Sequence, residues 1–162
     1  MTTKLREKHI NYQGNKMSVA LAAQTLSLSV ANAIDYCRDT LKMTQFNGSE
    51  ATTRFIRMFD GLFDIFNSRS KFSKGLNAPI HRDNIQTVVE YFHNATEYIA
   101  SLKMPNSVLL VNGPRRRAFL GFIINMDSLQ YIYKDYVIND YLDYVLTYKL
   151  SQDHLGFNIS YV

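Results

Sequence analysis

Apolar residues recur at steps of three and four along most of this chain, the period at which an α-helix shows a single face. Between residues 17 and 43 the series is Val19, Ala22, Ala23, Leu26, Val30, Ala33, Ile34, Cys37 and Leu41, which predicts one long amphipathic helix. Asn47-Gly48-Ser49-Glu50 breaks the pattern, and Ser49 is a natural N-cap for a second helix over 50–68. Its apolar side carries Phe55, Phe59, Leu62, Phe63 and Phe66, and Arg57, Asp60, Asp64 and Asn67 form a narrow polar stripe. A third helix should start near Asn84, bury Ile85, Val88, Val89, Phe92, Ile99 and Leu102, and stop before Pro105.

The rest is less periodic. Residues 70–83 carry Gly75 and Pro79 and read as a loop. Residues 107–124 include two short apolar runs that fit minor extended elements, and helices are expected over 127–136 and 140–148. The fold class is therefore mainly α, a single helical domain with minor extended elements around 107–124. With 162 residues, 46% of them hydrophobic, the chain can bury one real core.

Several chemistries are excluded or disfavoured by composition. Cys37 is the sole cysteine, so there is no intrachain disulfide and no zinc site with several thiolates. His9, His81, His93 and His154 lack paired-ligand spacing, so no metal is expected. No phosphate loop of the Gly-x4-Gly-Lys-Ser/Thr form exists, and Asn112-Gly113-Pro114 reads as a turn. The first residues lack a signal-peptide core, and no later stretch is long and apolar enough to span a bilayer, so a soluble intracellular protein without a membrane partner is expected. A net charge of +4 permits nucleic-acid contact without requiring it, and Arg115-Arg116-Arg117 reads as a solvated loop that can touch a phosphate backbone. The tyrosines at 131, 133, 136, 141, 144 and 148 fit packed helices better than a stacking platform.

Four blocks, in order, carry a resemblance. They are Met17-Ser-Val-Ala-Leu-Ala-Ala-Gln-Thr-Leu-Ser27 with Val30-Ala31, Phe63-Asp-Ile-Phe-Asn-Ser-Arg69, Phe119-Leu-Gly-Phe-Ile-Ile-Asn125 with Ser128, and Leu146-Thr-Tyr-Lys-Leu-Ser-Gln-Asp-His-Leu155. Together they resemble the GTP-binding insertion domain that interrupts the catalytic core of P-element-type, THAP-related transposases. The resemblance implies an insertion domain over 1–155, a divergent tail over 156–162, and a nuclear location. It assigns nucleotide contacts to Val19, Ser27, Phe63, Asp64, Asn67 and Asp153, and an upstream lysine to Lys4. The implied ligand is GTP, with Mg2+ only if the nucleotide carries it. The implied partners are GTP and a full-length transposase or a second copy of the chain. Direct DNA binding is not expected without the family's zinc-bearing module. A family lysine falls on Ser18 here, and Lys16 stands two residues away as a displaced substitute.

The side chains suit that ligand on their own terms. A carboxylate accepts the adjacent N–H groups of a guanine edge, an amide both donates and accepts, and a phenyl face stacks on a base. Ser151 can cap a helix whose first turn holds Asp153, where the helix dipole favours negative charge. The resemblance places the last catalytic glutamate on Gly156, which has no side chain, and the earlier catalytic acids before Met1. The chain is therefore expected not to be an enzyme, but a catalytically inactive transposase derivative that keeps a GTP-binding domain. The alternative is a non-binding helical interaction protein or transposase fossil that associates with a full-length relative. Convergence of Val19, Ser27, Asp64, Asn67 and Asp153 around one cavity separates these readings from an unrelated helical scaffold.

Overall fold

A computed structural model describes residues 5–15 and 18–151. The chain divides into two compact units, Met1–Asp64 and Ile65–Val162. Both are mainly α, and the described residues form isolated bridges but no strand.

The first unit holds α1 (Glu7–Ile10), α2 (Val19–Thr25), α3 (Leu28–Asp35) and most of α4 (Glu50–Phe66). The single helix expected over 17–43 is thus two helices, and a wider π-type turn, Tyr36–Thr40, follows the second. The break lies at Leu26 and Ser27. Ser27 adopts an extended backbone (ψ 152°), and its hydroxyl donates to the Gln24 carbonyl at 2.9 Å. Such local side-chain bonds offer the backbone an alternative to the helical ladder. The apolar phase survives the break, so Val30 and Ala31 of α3 pack with Ile56 of α4, flanked by Leu26 and Ile34.

Polar contacts reinforce that core at its edge. Arg57 of α4 reaches Asp35 at 2.6 Å and donates to Asn32 Oδ1 at 2.7 Å. Arg38 pairs with Asp35 and Asp39, each at 2.8 Å, and donates to the Ser49 hydroxyl at 3.2 Å. Burial pushes the Asp35 carboxyl up, but hydrogen bonds from Arg57 and Thr53 and the nearby guanidinium charges outweigh it and hold Asp35 below the usual range. α4 opens as expected at Ser49, whose carbonyl accepts from the Thr53 N–H at 3.0 Å. The preceding turn needs a positive φ, which Gly48 supplies at 76° without steric cost.

The second unit is built on α5 (Ile85–Ser101) and α6 (Arg116–Ile132), with a second π-type turn over Tyr133–Ile138. Val88, Phe92, Ala95 and Ile99 are the buried face of α5, and Met126 and Leu129 that of α6. Phe66 stacks on Phe92 with ring centroids 5.8 Å apart. Asn84 starts α5 by accepting from the His81 N–H at 2.9 Å and donating to the Pro79 carbonyl at 2.8 Å.

Two expectations fail here. Residues 119–124 are helical, because α6 begins at Arg116 and runs through Gly121, so the extended content of this described segment is the Lys103–Leu109 bridge. Residues 140–148 do not form a helix. Asp140 sits at φ 61° and is held by an ion pair with Arg82, and Val145 exchanges two backbone hydrogen bonds with Ile80, at 2.9 and 3.0 Å. A non-local pairing takes the backbone groups that a helix would need.

Thr147 shows how this segment is anchored. Its hydroxyl, 3% exposed as part of the residue, donates to the Ile65 carbonyl at 2.5 Å and accepts from the Ser68 N–H at 3.0 Å, closing the end of α4. Thr147→Val keeps the shape and strands both backbone groups, so it should cost about 1–3 kcal/mol. Urea denaturation checks this, and an unchanged midpoint would deny the hydroxyl that role.

Candidate functional site

On α4 the helical period turns Phe59 and Leu62 into the core and leaves Asp60, Phe63 and Asp64 toward the outside. Phe63 is 36% exposed and Asp64 is half-buried beside it. Asp60, one turn earlier, lies near the Leu28 backbone N–H, which holds its carboxyl down. Leu28 opens α3, and its neighbour Ser27 is the N-cap, whose hydroxyl also lies 2.9 Å from that of Ser29. Ser27, Asp60 and Asp64 thereby share one neighbourhood.

The electrostatics of the pair are strained. Burial pushes the Asp64 carboxyl above the usual carboxylate range, and the charge of Asp60 pushes it further. Burial also raises Asp60, partly opposed by the Leu28 N–H. Asp64 has no hydrogen-bonding or ionic partner among the described residues. A half-buried carboxylate without a donor costs stability that a ligand's donors can return. The described residues contain no group of three or more metal-ligating side chains, and two carboxylates one turn apart leave such a site incomplete.

The other predicted residues are placed as follows. Val19 opens α2 at the end remote from Ser27 and is 66% exposed. Ser18, on which the family lysine falls, caps that helix by accepting from the Leu21 N–H at 3.4 Å. Asn67 lies in the second unit just beyond α4, with its Oδ1 taken by Arg69 Nε at 3.0 Å. Lys4, Lys16, Asp153 and Gly156 lie outside the described residues, as does the helix expected after Ser151. Ser151 itself follows a 3-10 turn over Thr147–Leu150. Asp60 was visible only as one member of a polar stripe. Its four-residue spacing from Asp64 is the available signal, whereas its nearness to Leu28 is non-local.

Residues 1–79 match the family model described as the TNP-like, GTP-binding insertion domain. The human DNA transposase THAP9 is 33% identical over 147 residues, 90% of this chain. The chain is homologous to the P-element-type, THAP-related transposases. The Drosophila melanogaster Transposable element P transposase is 29% identical over 160 residues, or 93% of the chain. The Drosophila P element transposase strand transfer complex matches 97% of it with a TM-score of 0.73 and 28% identity. This transposase homologue spans only part of those proteins, 16% of THAP9, 19% of the P transposase and 34% of the matched chain in the complex. No helix among its described residues is long and apolar enough to cross a membrane.

Proposed function

We propose that this transposase homologue is a guanine-nucleotide-binding module that acts without catalysing a reaction. The observation that carries the reading is Asp64, half-buried, without a donor, and next to the exposed ring of Phe63. A guanine edge brings two adjacent N–H donors to such a carboxylate, and its face can stack on the phenyl ring. Adenine brings an acceptor there and is rejected. Ser27 supplies a hydroxyl within the same neighbourhood. Contacts from Lys4 and Lys16 belong to this proposal, with GTP as the ligand and Mg2+ arriving only on the nucleotide. Absence of chemistry follows from Gly156, which offers no metal-binding group where the family glutamate would stand. The module would act in the nucleus, alongside a full-length transposase.

Titration calorimetry with GTP, GDP and ATP tests this. Heat with both guanine nucleotides and none with ATP is the expected result, and no heat with millimolar GTP removes the reading. The pH dependence has a defined sign. Asp64 must be ionised to accept two donors, and its pKa is raised, so GTP affinity should fall on acidification from a pH above the ordinary aspartate range near 3.9. A profile flat from pH 7 to pH 4 would exclude Asp64 as the guanine acceptor.

A further inference from the structure

The tyrosines between 131 and 148 do not all find a place in the core. Tyr133 is buried, but Tyr136, Tyr141 and Tyr144 are exposed, and so are Leu142 and Leu150. These exposed side chains are not scattered. Ile132, Tyr136, Leu142, Tyr144, Leu146 and Leu150 line one groove of about 470 Å³, whose single charged lining residue is Lys149. It lies wholly within the second unit.

The groove is built by the segment that stands in place of the helix expected over 140–148. The Tyr141 and Leu142 N–H groups both donate to the Tyr136 carbonyl at 2.9 Å, and Val145 pairs with Ile80, so backbone bonds fix the wall. Tyr141 also meets Tyr136 edge to face, with ring centroids 6.4 Å apart, which steadies the Tyr136 ring. A preformed apolar concavity of this kind marks a contact site.

The sequence that follows the groove has the chemistry to fill it. Lys149 and Leu150 line the groove, and Ser151 leaves it with an extended backbone (ψ 157°). Residues 152–162, outside the described residues, therefore start at its rim. Leu155, Phe157, Ile159 and Tyr161 alternate with Gly156, Asn158 and Ser160. That period puts four apolar side chains on one face of an extended segment, but on opposite sides of a helix. Residues 155–162 carry no charge, which suits a groove with one charged residue at its edge. Reach is not limiting, because four residues span at most about 14 Å and so keep Leu155 close to Ser151. So short a tether gives an effective concentration on the order of millimolar, which favours the chain's own segment over a separate partner.

We propose that residues 155–161 of the same chain dock in this groove as an extended segment, with Phe157 and Ile159 as its apolar anchors. The docking lies in the second unit and does not depend on the nucleotide reading of the first.

Hydrogen exchange of the full chain, read by mass spectrometry, tests it. Amides of residues 156–161 should exchange about tenfold or more slower than their intrinsic rates. Leu142→Asn/Leu150→Asn alters two exposed groove residues and should return those amides to intrinsic rates, while α5 and α6 keep their protection. Phe157→Asn/Ile159→Asn should release the segment in the same way without touching the groove, and Phe157→Leu/Ile159→Val should retain it. The proposal is overturned if the wild-type segment exchanges at intrinsic rates, or if its protection survives both asparagine pairs. Protection that appears only where sedimentation shows a dimer would place the segment in a second copy and equally overturn it.

Discussion

Asp64→Asn is expected to weaken GTP binding about a hundredfold while raising the protein's thermal midpoint at pH 7. The loss follows from charge-assisted hydrogen bonds worth roughly 1.5–3 kcal/mol each, so that losing or inverting the pair removes about 3 kcal/mol of binding. The asparagine amide turns one acceptor into a donor that faces a donor of guanine. The gain in stability has the opposite origin. Burial and the charge of Asp60 raise the folded pKa of Asp64. A raised carboxyl contributes stability fully only below its unfolded pKa and loses that contribution as pH rises through the folded value. At neutral pH the wild type is ionised and bears the repulsion, which the neutral variant lacks. The difference in midpoint should therefore shrink on acidification, as Asp64 itself becomes neutral. Calorimetry and thermal melts at pH 7 and pH 4 read both effects. An unchanged affinity, or a midpoint that falls at pH 7, would remove Asp64 from the site. The combination is what a binding group held at some cost to the fold should show.

The helices that were legible in the sequence are those with local boundary signals. The expected 50–68 is observed as Glu50–Phe66, bounded by Gly48 and Ser49, and the third expected helix as Ile85–Ser101, bounded by Asn84 and by Pro105 downstream. The division at Ser27 was hidden because α2 and α3 keep one apolar phase across it, so periodicity cannot register a hydroxyl that bonds Gln24. Residues 119–124 are apolar around most of the helix, which removes the contrast that marks a helical face. Over 140–148, Tyr141, Tyr144, Val145 and Tyr148 keep helical spacing, yet Ile80 takes the backbone groups of Val145 from more than sixty residues away. The site divides in the same manner. Phe63 and Asp64 are adjacent in the sequence and could be read together, whereas Asp60 acquires its part only by meeting the start of α3.

That meeting depends on the small core of the first unit, and Ile56→Ala is expected to cost about 2–5 kcal/mol. Ile56 is 5% exposed and packs against Val30 and Ala31, with Leu26 and Ile34 around them. α3 has only 8 residues, too few to persist in water without tertiary packing. Out of a typical total of about 5–15 kcal/mol, the loss is a large share. Ile56 also lies one turn before Asp60 on α4, and its partners Val30 and Ala31 follow Leu28 on α3. Loosening this contact should thus move the start of α3 away from Asp60 and weaken GTP binding along with stability. Ile56→Val, which removes one methylene, should cost about 0.5–1.5 kcal/mol and leave binding near wild type. Urea denaturation with and without nucleotide checks the coupling. GTP at a hundred times its Kd should add about 2.7 kcal/mol to whichever variant still binds it. An Ile56→Ala protein with wild-type stability would show that α3 is held by its polar contacts to Arg57 instead. Lost stability with wild-type GTP affinity would show that the start of α3 is not part of the site.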